Sequence, residues 1–188
     1  TYILNSKDLN LIDYIGELID AGVCSFKIEG RMKSEYYLAT VVNAYRRAID
    51  EYYRVGKEYK KNAEYSEELE KTAHREFTTA YLLGENDRTE NFDDSQSKGT
   101  YKFIANVIED SDGESVLIEM RNRFKKGDNL QVLSPFETFN NEILVEKMLD
   151  EKGNEIEDAK IVQQKIKLFT KLPLKKGDIL KSELENEL

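Results

Sequence analysis

The feature that most constrains the fold is a change of hydrophobic pattern across residues 84–100. This segment, GENDRTENFDDSQSKGT, has almost no apolar side chain, which is typical of a linker or long loop. Before it, apolar residues recur at helical spacing, and after it come short β-branched or aromatic segments bounded by turn residues. The sequence therefore predicts an α/β first domain at 1–83, a linker at 84–100 and an all-β second domain at 101–188.

The first domain is predicted to alternate strands and helices. The predicted elements are a strand at Tyr2–Leu4, a helix at Leu11–Ile19 ended by Gly22, a strand at Val23–Ile28, a long helix capped by Ser34 and a third helix at Ser66–Ala73. Short connections between strand and helix favour a βαβα unit, and the crossover rule makes its two strands parallel.

The second domain contains a short sequence that occurs twice. KKGDNL at 125–130 recurs as KKGDIL at 175–180. Each copy is predicted to be a turn that leads into a strand, with Gly providing an unusual backbone angle and Asp bonding to nearby amides. Two copies indicate a reused structural device and not a repeat protein.

Composition excludes several classes of function. The chain has 188 residues and 39% hydrophobic content, enough for one core or two small ones. Its net charge of −9 provides no global basic field for nucleic acid, so RNA contact requires a local patch. No apolar run is long enough to cross a membrane, and no signal peptide is visible. The start at Thr1, without Met and directly before an apolar segment, predicts a fragment of a longer protein.

The single cysteine, Cys24, excludes an internal disulfide and indicates a reducing, cytoplasmic compartment. We expect its thiol to be a small buried hydrophobe and not a ligand. The sequence shows no metal-site motif of its own.

Charged residues cluster where a predicted strand runs into the long helix. Within SFKIEGRMKS, the period of a strand places Lys27, Glu29 and Arg31 on one face. Function in parallel α/β folds lies at the carboxyl ends of strands, so we predict that these three converge inward on a cavity for a carboxylate or phosphate ligand. The alternative is an exposed strand face with weak ion pairs. The catalytic candidates are Glu29 and Lys27, and the ligand-binding candidates are Arg31, Lys33, Asn5 and Ser6.

Two other features have a functional and a structural interpretation. His74, the only histidine, lacks a recognisable nucleophile motif around it, which favours a structural role. The basic residues around Phe124 form either a phosphate-contacting edge with an aromatic stacking partner or a solvated hairpin. They are the RNA-binding candidates: Arg121, Arg123, Lys125 and Lys126.

The order of several longer motifs resembles peptidase family U32, the collagenase-like proteases. The matching motifs are NSKDL, LIDAGV-x-SFKIEGRMKS-x-YY, YRRAID, HREFTTAYLLG, FIANV, RNRFKKGD and SPFE, where x is a position outside the match. They extend from residue 1 to about residue 140. Where some members have a cysteine after NSKDL, this chain has Asn10.

The resemblance implies a fold and an activity. It implies the last strand–helix units of a TIM-type barrel followed by a small β-barrel similar to those of translation factors. It also implies hydroxylation of tRNA or ribosomal RNA, with prephenate as a small anionic ligand and an iron–sulfur cluster held upstream of this chain. The family name implies a peptidase as the alternative, and a non-catalytic binding or folding module is a third hypothesis.

The implied partners are the upstream half of the barrel and possible RNA substrates, tRNA or rRNA, with no membrane partner. An open barrel edge would expose unpaired backbone groups, which favours a homodimer or domain swap of the fragment.

Overall fold

The computed structural model describes residues 5–84, 89–93 and 96–184, and the chain divides into two compact units, 1–100 and 101–188. The predicted strand Tyr2–Leu4 lies outside the described residues. Part of the predicted linker is bonded within the first unit, since Ser6 bridges to Glu90 and His74 bridges to Lys98.

The first unit is built mainly from helices. In chain order its described part contains strand β1 (Asp8–Leu9), a 3-10 turn (Ile12–Tyr14), helix α1 (Ile15–Asp20), helix α2 (Glu35–Val55), a second 3-10 turn (Gly56–Glu58), helix α3 (Ala63–Glu70) and strand β2 (Phe77–Thr78). The predicted cap of α2 is confirmed, because the Ser34 hydroxyl accepts a hydrogen bond from the Tyr37 amide at 3.2 Å.

Helix α1 ends at the glycine that the sequence indicates. Gly22 has a φ of +93°, and its N–H donates to the Ile19 carbonyl at 2.9 Å. The Val23 N–H donates to the Leu18 carbonyl at 3.0 Å. These two bonds satisfy carbonyls that the end of a helix otherwise leaves without partners.

A compact core joins the helices of the first unit. Its buried members are Ile12, Ile15, Val41, Ala44, Ala48 and Leu69. On α2 the buried positions Thr40, Ala44 and Ala48 recur every four residues, and these small side chains form the stripe that faces its neighbours. Helix α2 packs against both α1 and α3.

The predicted strand at Val23–Ile28 is wrong, because residues 23–30 form no strand. The alternation itself is present, since Phe26 and Ile28 pack on the core while Lys27 and Glu29 are exposed. A strand also requires a neighbour for its backbone groups, and none of the described strands pairs with this segment.

The parallel pair of this unit joins β1 to β2, with Asp8 opposite Phe77. Two smaller predictions also need correction. Cys24 is exposed, because it lies on the solvent side of the same irregular segment. Helix α3 begins at Ala63, earlier than predicted, because the Asn62 side chain caps it by accepting from the Glu64 amide at 3.0 Å.

The second unit is an antiparallel β structure. Its described strands are β3 (Tyr101–Val107), β4 (Ser115–Met120), β5 (Phe124–Lys125), β6 (Asn129–Leu133), β7 (Glu142–Leu144), β8 (Met148–Leu149), β9 (Glu155–Ile156), β10 (Asp158–Ala159), β11 (Lys165–Phe169) and β12 (Ile179–Glu183). Eight of these described strands form one sheet in the order β7-β6-β12-β3-β4-β11-β8-β9, and β5 pairs with β10. The all-β prediction is confirmed.

One face of the curled sheet surrounds a continuous apolar core. Strand β4 directs Val116, Ile118 and Met120 into it, and β11 directs Ile166 and Leu168. These positions alternate with more exposed ones, as the period of two requires. The opposite face of β11 is therefore available to solvent.

The echoed KKGD segments form matching turns. In the first, the Lys125 amide donates to the Asp128 carboxylate at 2.8 Å, and in the second the Lys175 amide donates to Asp178 at 2.8 Å. Their glycines, Gly127 and Gly177, have φ values of +90° and +95°. The predicted chemistry of both turns is confirmed.

Each turn also binds a neighbouring strand or its extension in the same way. The Gly127 amide donates to the Val145 carbonyl at 2.8 Å, and the Gly177 amide donates to the Val107 carbonyl at 2.9 Å. In the opposite direction, the Val145 amide donates to the Asp128 carbonyl and the Val107 amide donates to the Asp178 carbonyl, both at 2.9 Å.

The β5–β10 pair is reinforced by an ion pair. The Arg123 guanidinium donates to both oxygens of Asp158, at 2.9 and 2.6 Å. These bonds hold the pKa of the Asp158 carboxyl at about 2, well below its ordinary value. Phe124, which follows Arg123, is 1% exposed in the core, so of the two interpretations the one in which its ring stacks on a base does not fit.

Replacing Gly127 or Gly177 by Ala should lower the free energy of unfolding by about 1–2 kcal/mol, because an L residue is strained at this φ. A Cβ at either position meets nothing within 4 Å, so a clash does not contribute. Urea denaturation measures the change, and Asn, which tolerates positive φ better, should recover part of the loss. Ala variants as stable as the original chain would contradict the turn conformation.

The Asp158 carboxyl should titrate near pH 2 in a carbon-13 NMR experiment. Its pKa is lower in the folded chain than in the unfolded chain. The group's contribution to stability is therefore present above about pH 4 and is lost as the pH falls towards 2. Arg123→Gln should raise the midpoint towards that of an ordinary Asp, whereas Arg46→Gln on α2 should not. An unchanged midpoint in Arg123→Gln would show that the ion pair does not form in solution.

Candidate anion-binding site

A cavity of about 490 Å³ in the first unit lies among β1, residues 26–33, helix α2 and Arg75. One side of it is apolar, formed in part by Leu11, Phe26 and Ile28. Two tyrosines of α2, Tyr37 and Tyr45, also belong to its lining. The cavity therefore combines an apolar wall with a polar, charged rim, the combination found in small-molecule sites.

Basic side chains outnumber acidic ones around this cavity. The basic lining residues are Lys7, Lys27, Arg31, Lys33 and Arg75, and the acidic ones are Asp8 and Glu29. In a chain whose net charge is −9, this local excess of positive charge favours a negatively charged ligand.

Asp8 organises the charges at the inner end of the cavity. The Arg75 side chain donates to its Oδ1 through Nε at 3.0 Å, and the Arg75 amide donates to its Oδ2 at 3.0 Å. The Lys33 ammonium lies 3.8 Å from Oδ2. One carboxylate thus faces two cations, which leaves positive charge directed at the cavity.

Lys33 is held by more than this ion pair. Its ammonium donates to the Ala73 carbonyl at 3.1 Å and lies 4.8 Å from the centre of the Tyr37 ring. Its side chain is 28% exposed, so the ammonium is shielded but can still be reached from the cavity. Sequence reasoning predicted Lys33 as a ligand-binding residue, and Lys33 is one of the basic residues that line this cavity.

The other charged residues of the motif occupy the rim. Lys27, Glu29 and Arg31 are all exposed, and all three line the same cavity. The Glu29 carboxylate accepts a hydrogen bond from the Arg31 amide at 3.0 Å, so it stabilises the local turn. The three charged groups were predicted to converge on a cavity from the end of a strand; they do line one cavity, but from an irregular loop whose charged side faces solvent.

Asn5 and Ser6 do not line this cavity. The Asn5 amide nitrogen donates to the Asn91 carbonyl at 3.2 Å, and Ser6 bridges to Glu90. Their placement as ligand-binding residues therefore needs correction, because both are used to attach residues 90–91 to this end of β1.

Four polar residues of the site, Asp8, Arg75, Tyr37 and Tyr45, escaped sequence reasoning. Asp8 and Arg75 are far apart in sequence and meet only because β1 pairs with β2. The Tyr45 hydroxyl accepts from the Leu11 amide at 3.0 Å and lies 3.2 Å from the Asn10 side-chain oxygen. Burial raises the pKa of both Tyr45 and Tyr37, and Asp8 adds to the rise for Tyr37, so both hydroxyls are protonated at neutral pH.

His74 is positioned by its neighbours as a structural residue. Its Nε2 lies 2.9 Å from the Glu70 carboxylate and its Nδ1 lies 2.6 Å from the Arg75 carbonyl. The ring stacks on Phe77 with 4.0 Å between centres. Both ring nitrogens face acceptors, which leaves neither directed at a nucleophile.

The predicted RNA-binding cluster of the second unit is largely paired with carboxylates. Arg121 lies 3.3 Å from Glu119, and Lys126 lies 3.8 Å from Glu155. Arg123 is held by Asp158, as described above, and the Lys125 side chain is exposed. These ion pairs reduce the positive charge that the cluster offers to a phosphate.

Within the described residues, no group of three or more His, Cys, Asp or Glu side chains is arranged to hold a metal ion. None of the helices in the described ranges is both long enough and apolar enough to cross a membrane.

Two models of one protein family match this chain. The model described as peptidase family U32 matches residues 1–91, and the model described as the peptidase family U32 C-terminal domain matches residues 99–181. A crystal structure of the C-terminal domain of a Geobacillus thermoleovorans U32 peptidase is 27% identical to the chain. The match covers 43% of this chain and 99% of that one, with a TM-score of 0.40.

Curated relatives carry two kinds of name. The chain is 40% identical to tRNA hydroxylation protein P1 of Bacillus subtilis, over 88% of this chain and 40% of the relative. It is 35% identical to tRNA hydroxylation protein P of Escherichia coli, over 81% of this chain and 33% of the relative. A collagenase of Porphyromonas gingivalis is 37% identical over 45% of this chain and 23% of the relative.

The chain thus spans two fifths or less of the length of these relatives. The two family models together match almost all of its sequence, in the order in which its two compact units occur. The chain belongs to peptidase family U32.

Proposed function

We propose that the first unit binds a small organic anion for a U32 protein that hydroxylates tRNA. The observation that carries this proposal is the pair of cations, Lys33 and Arg75, held by the single carboxylate of Asp8 beside an apolar wall. The relatives that match most of this chain are named tRNA hydroxylation proteins, which supports the choice of reaction.

The ligand in this proposal is a ring compound with carboxylate groups, of which prephenate is the example implied by the family resemblance. Lys33 and Arg75 bind the carboxylates, since an ammonium and a guanidinium suit such groups. The protonated hydroxyl of Tyr37 offers a hydrogen bond, and Phe26 and Ile28 pack against the apolar part. Lys27 and Arg31 attract the anion from the rim, and Glu29 fixes the rim turn.

An iron–sulfur cluster does not fit the residues of this chain. Such clusters take several cysteine thiolates, whereas this sequence has one cysteine, which is exposed, and the described residues contain no group of three or more possible metal ligands. In the proposal, a cluster belongs to other parts of the parent protein. This chain supplies the anion site and contacts to the RNA.

The proposal also includes the architecture of the parent protein. Residues 5–84 would contribute the last strand–helix units of a TIM-type barrel, and the second unit would be a small barrel like those of translation factors. The parallel pairing of β1 with β2 and the exposed Leu38 and Val42 of α2 support a surface that an upstream half of the barrel covers. A tRNA substrate would place the protein in the cytoplasm.

A peptidase is the second candidate, because collagenases match part of the chain. The described residues support a peptidase less well than they support the anion site. Both ring nitrogens of His74, the only histidine, already face acceptors.

Lys33→Gln should weaken prephenate binding to the 188-residue chain by about 10- to 100-fold in isothermal titration calorimetry, because a charge-assisted hydrogen bond to the ligand is lost. Arg31→Ala should weaken it less, since that side chain is exposed on the rim. The matched control is Arg46→Gln, whose guanidinium pairs with Asp50 on the solvent side of α2. Unfolding temperatures of all variants separate binding from stability. Equal affinity of Lys33→Gln and the original chain would contradict the proposed site.

The reaction is tested in cells that carry the gene for the parent protein. Deleting the gene should remove hydroxyuridine from tRNA, as measured by mass spectrometry of nucleosides. The original gene should restore it, and the Lys33→Gln allele should restore only a small part. Unchanged hydroxyuridine after deletion, together with loss of gelatin hydrolysis, would favour the peptidase.

A further inference from the structure

The outer face of β11 combines lysines with an aromatic ring. Because Ile166 and Leu168 are buried in the core, Lys167 and Phe169 share the opposite face of the strand. The Phe169 amide donates to the Lys147 carbonyl at 3.1 Å, which places Lys147 on the neighbouring chain segment directly across from Phe169. We call Lys147, Lys167 and Phe169 the β11 stripe.

Both lysines of the β11 stripe approach the same ring. The Lys147 ammonium lies 4.7 Å from the centre of Phe169, and the Lys167 ammonium lies 5.9 Å from it. Lys147 is exposed, and the Lys167 side chain is 48% exposed. Two ammonium groups near one ring concentrate positive charge on this face of the strand, which favours an anion there.

Carboxylates compensate this positive charge only in part. Lys167 has Asp112 at 3.9 Å, near the limit for an ion pair. Among the described residues, no carboxylate forms an ion pair with Lys147, whose ammonium lies over the Phe169 ring. The cluster around Arg123 differs, because the Arg123 guanidinium forms two short bonds to Asp158. A phosphate has to displace a carboxylate at Arg123 but not at Lys147.

The ring also differs between the two places. Phe124 is 1% exposed and belongs to the core, whereas Phe169 is partly exposed on the surface. A base can stack on an accessible ring, and the long lysine side chains can move from the ring to neighbouring phosphates. An acidic protein surface would use the two lysines but would gain little from the ring.

From this arrangement we infer that the β11 stripe is the RNA-contact surface of the second unit, with Lys147 and Lys167 binding phosphates and Phe169 stacking on an unpaired base. The inference rests on the proposed function, because it takes tRNA as the partner. It moves the RNA contact away from the residues that the sequence pattern favoured.

The test is binding of a fluorescently labelled tRNA to the 188-residue chain, followed by anisotropy over a series of salt concentrations. The double variant Lys147→Gln/Lys167→Gln should lose about tenfold in affinity. The slope of log affinity against log salt should fall by between one and two, because two phosphate contacts are removed. Phe169→Leu, which keeps an apolar side chain at that position, should lose about fivefold or more without a change in slope.

The matched control is Arg123→Gln/Lys126→Gln, which removes the same amount of charge from the carboxylate-paired cluster. Its tRNA affinity should stay within about twofold of the original. Circular dichroism and the unfolding temperature show whether each variant is folded. If the double variant fails to fold, Lys147→Gln alone replaces it, because the Lys147 side chain is exposed and its loss should not disturb the core.

Several results would overturn the inference. They are an unchanged salt slope in the β11 double variant, a larger loss in the Arg123 control than in the β11 stripe, and binding of poly-glutamate that depends equally on Phe169. The original chain failing to bind tRNA would overturn it as well. The prephenate titration does not involve the β11 stripe. If only the inference is wrong, the stripe variants bind tRNA normally while prephenate still binds; if the proposed function is wrong, prephenate binding itself fails.

Discussion

The Asp8 carboxylate is the group on which the candidate site depends. It lies on β1, and the pairing of β1 with β2 brings it into contact with Arg75, which is distant from it in sequence. Its side chain is 16% exposed, so its interactions with Arg75 and Lys33 are screened less than those of a surface pair. Without this carboxylate the two cations would repel each other, and both the inner end of the cavity and the start of β2 would lose an anchor.

Whether a basic side chain in this acidic chain can bind an external anion depends on the groups that it already contacts. Lys33 shares its carboxylate with Arg75, and Arg123 makes two bonds to Asp158, whose Oδ2 also lies 3.2 Å from the Lys160 ammonium. Lys147 faces an aromatic ring. These three surroundings give similar side chains very different capacities for an external anion. A cluster of charges in the sequence therefore indicates where charge is concentrated, but not whether it is already neutralised.

Local chemistry made much of the fold predictable. The Ser34 cap, the Gly22 helix end and both KKGD turns depend on residues within a few positions of each other, and each was found where the sequence indicated. Residues 23–28 were mispredicted as a strand, because alternation of apolar and polar residues indicates which side is buried, whereas a strand also needs a partner for its backbone groups. Lys33 was found through its motif. Arg75 could not be, because its role depends on Asp8 at the other end of the unit, and no local pattern encodes that pairing.

The two KKGD turns bond alike but close very different lengths of chain. Gly127 reaches Val145, a near neighbour in sequence, whereas Gly177 reaches back to Val107 across most of the second unit. Closing the longer loop costs more chain entropy, although the cost grows only slowly with length. The same four-residue sequence thus forms a local contact at Val145 and a long-range contact at Val107, where the last strand of the unit pairs with its first. Because the two turns have the same sequence and the same hydrogen bonds, they differ mainly in the length of chain that each contact closes. Their rates of formation during folding therefore compare a short-range with a long-range contact within one molecule.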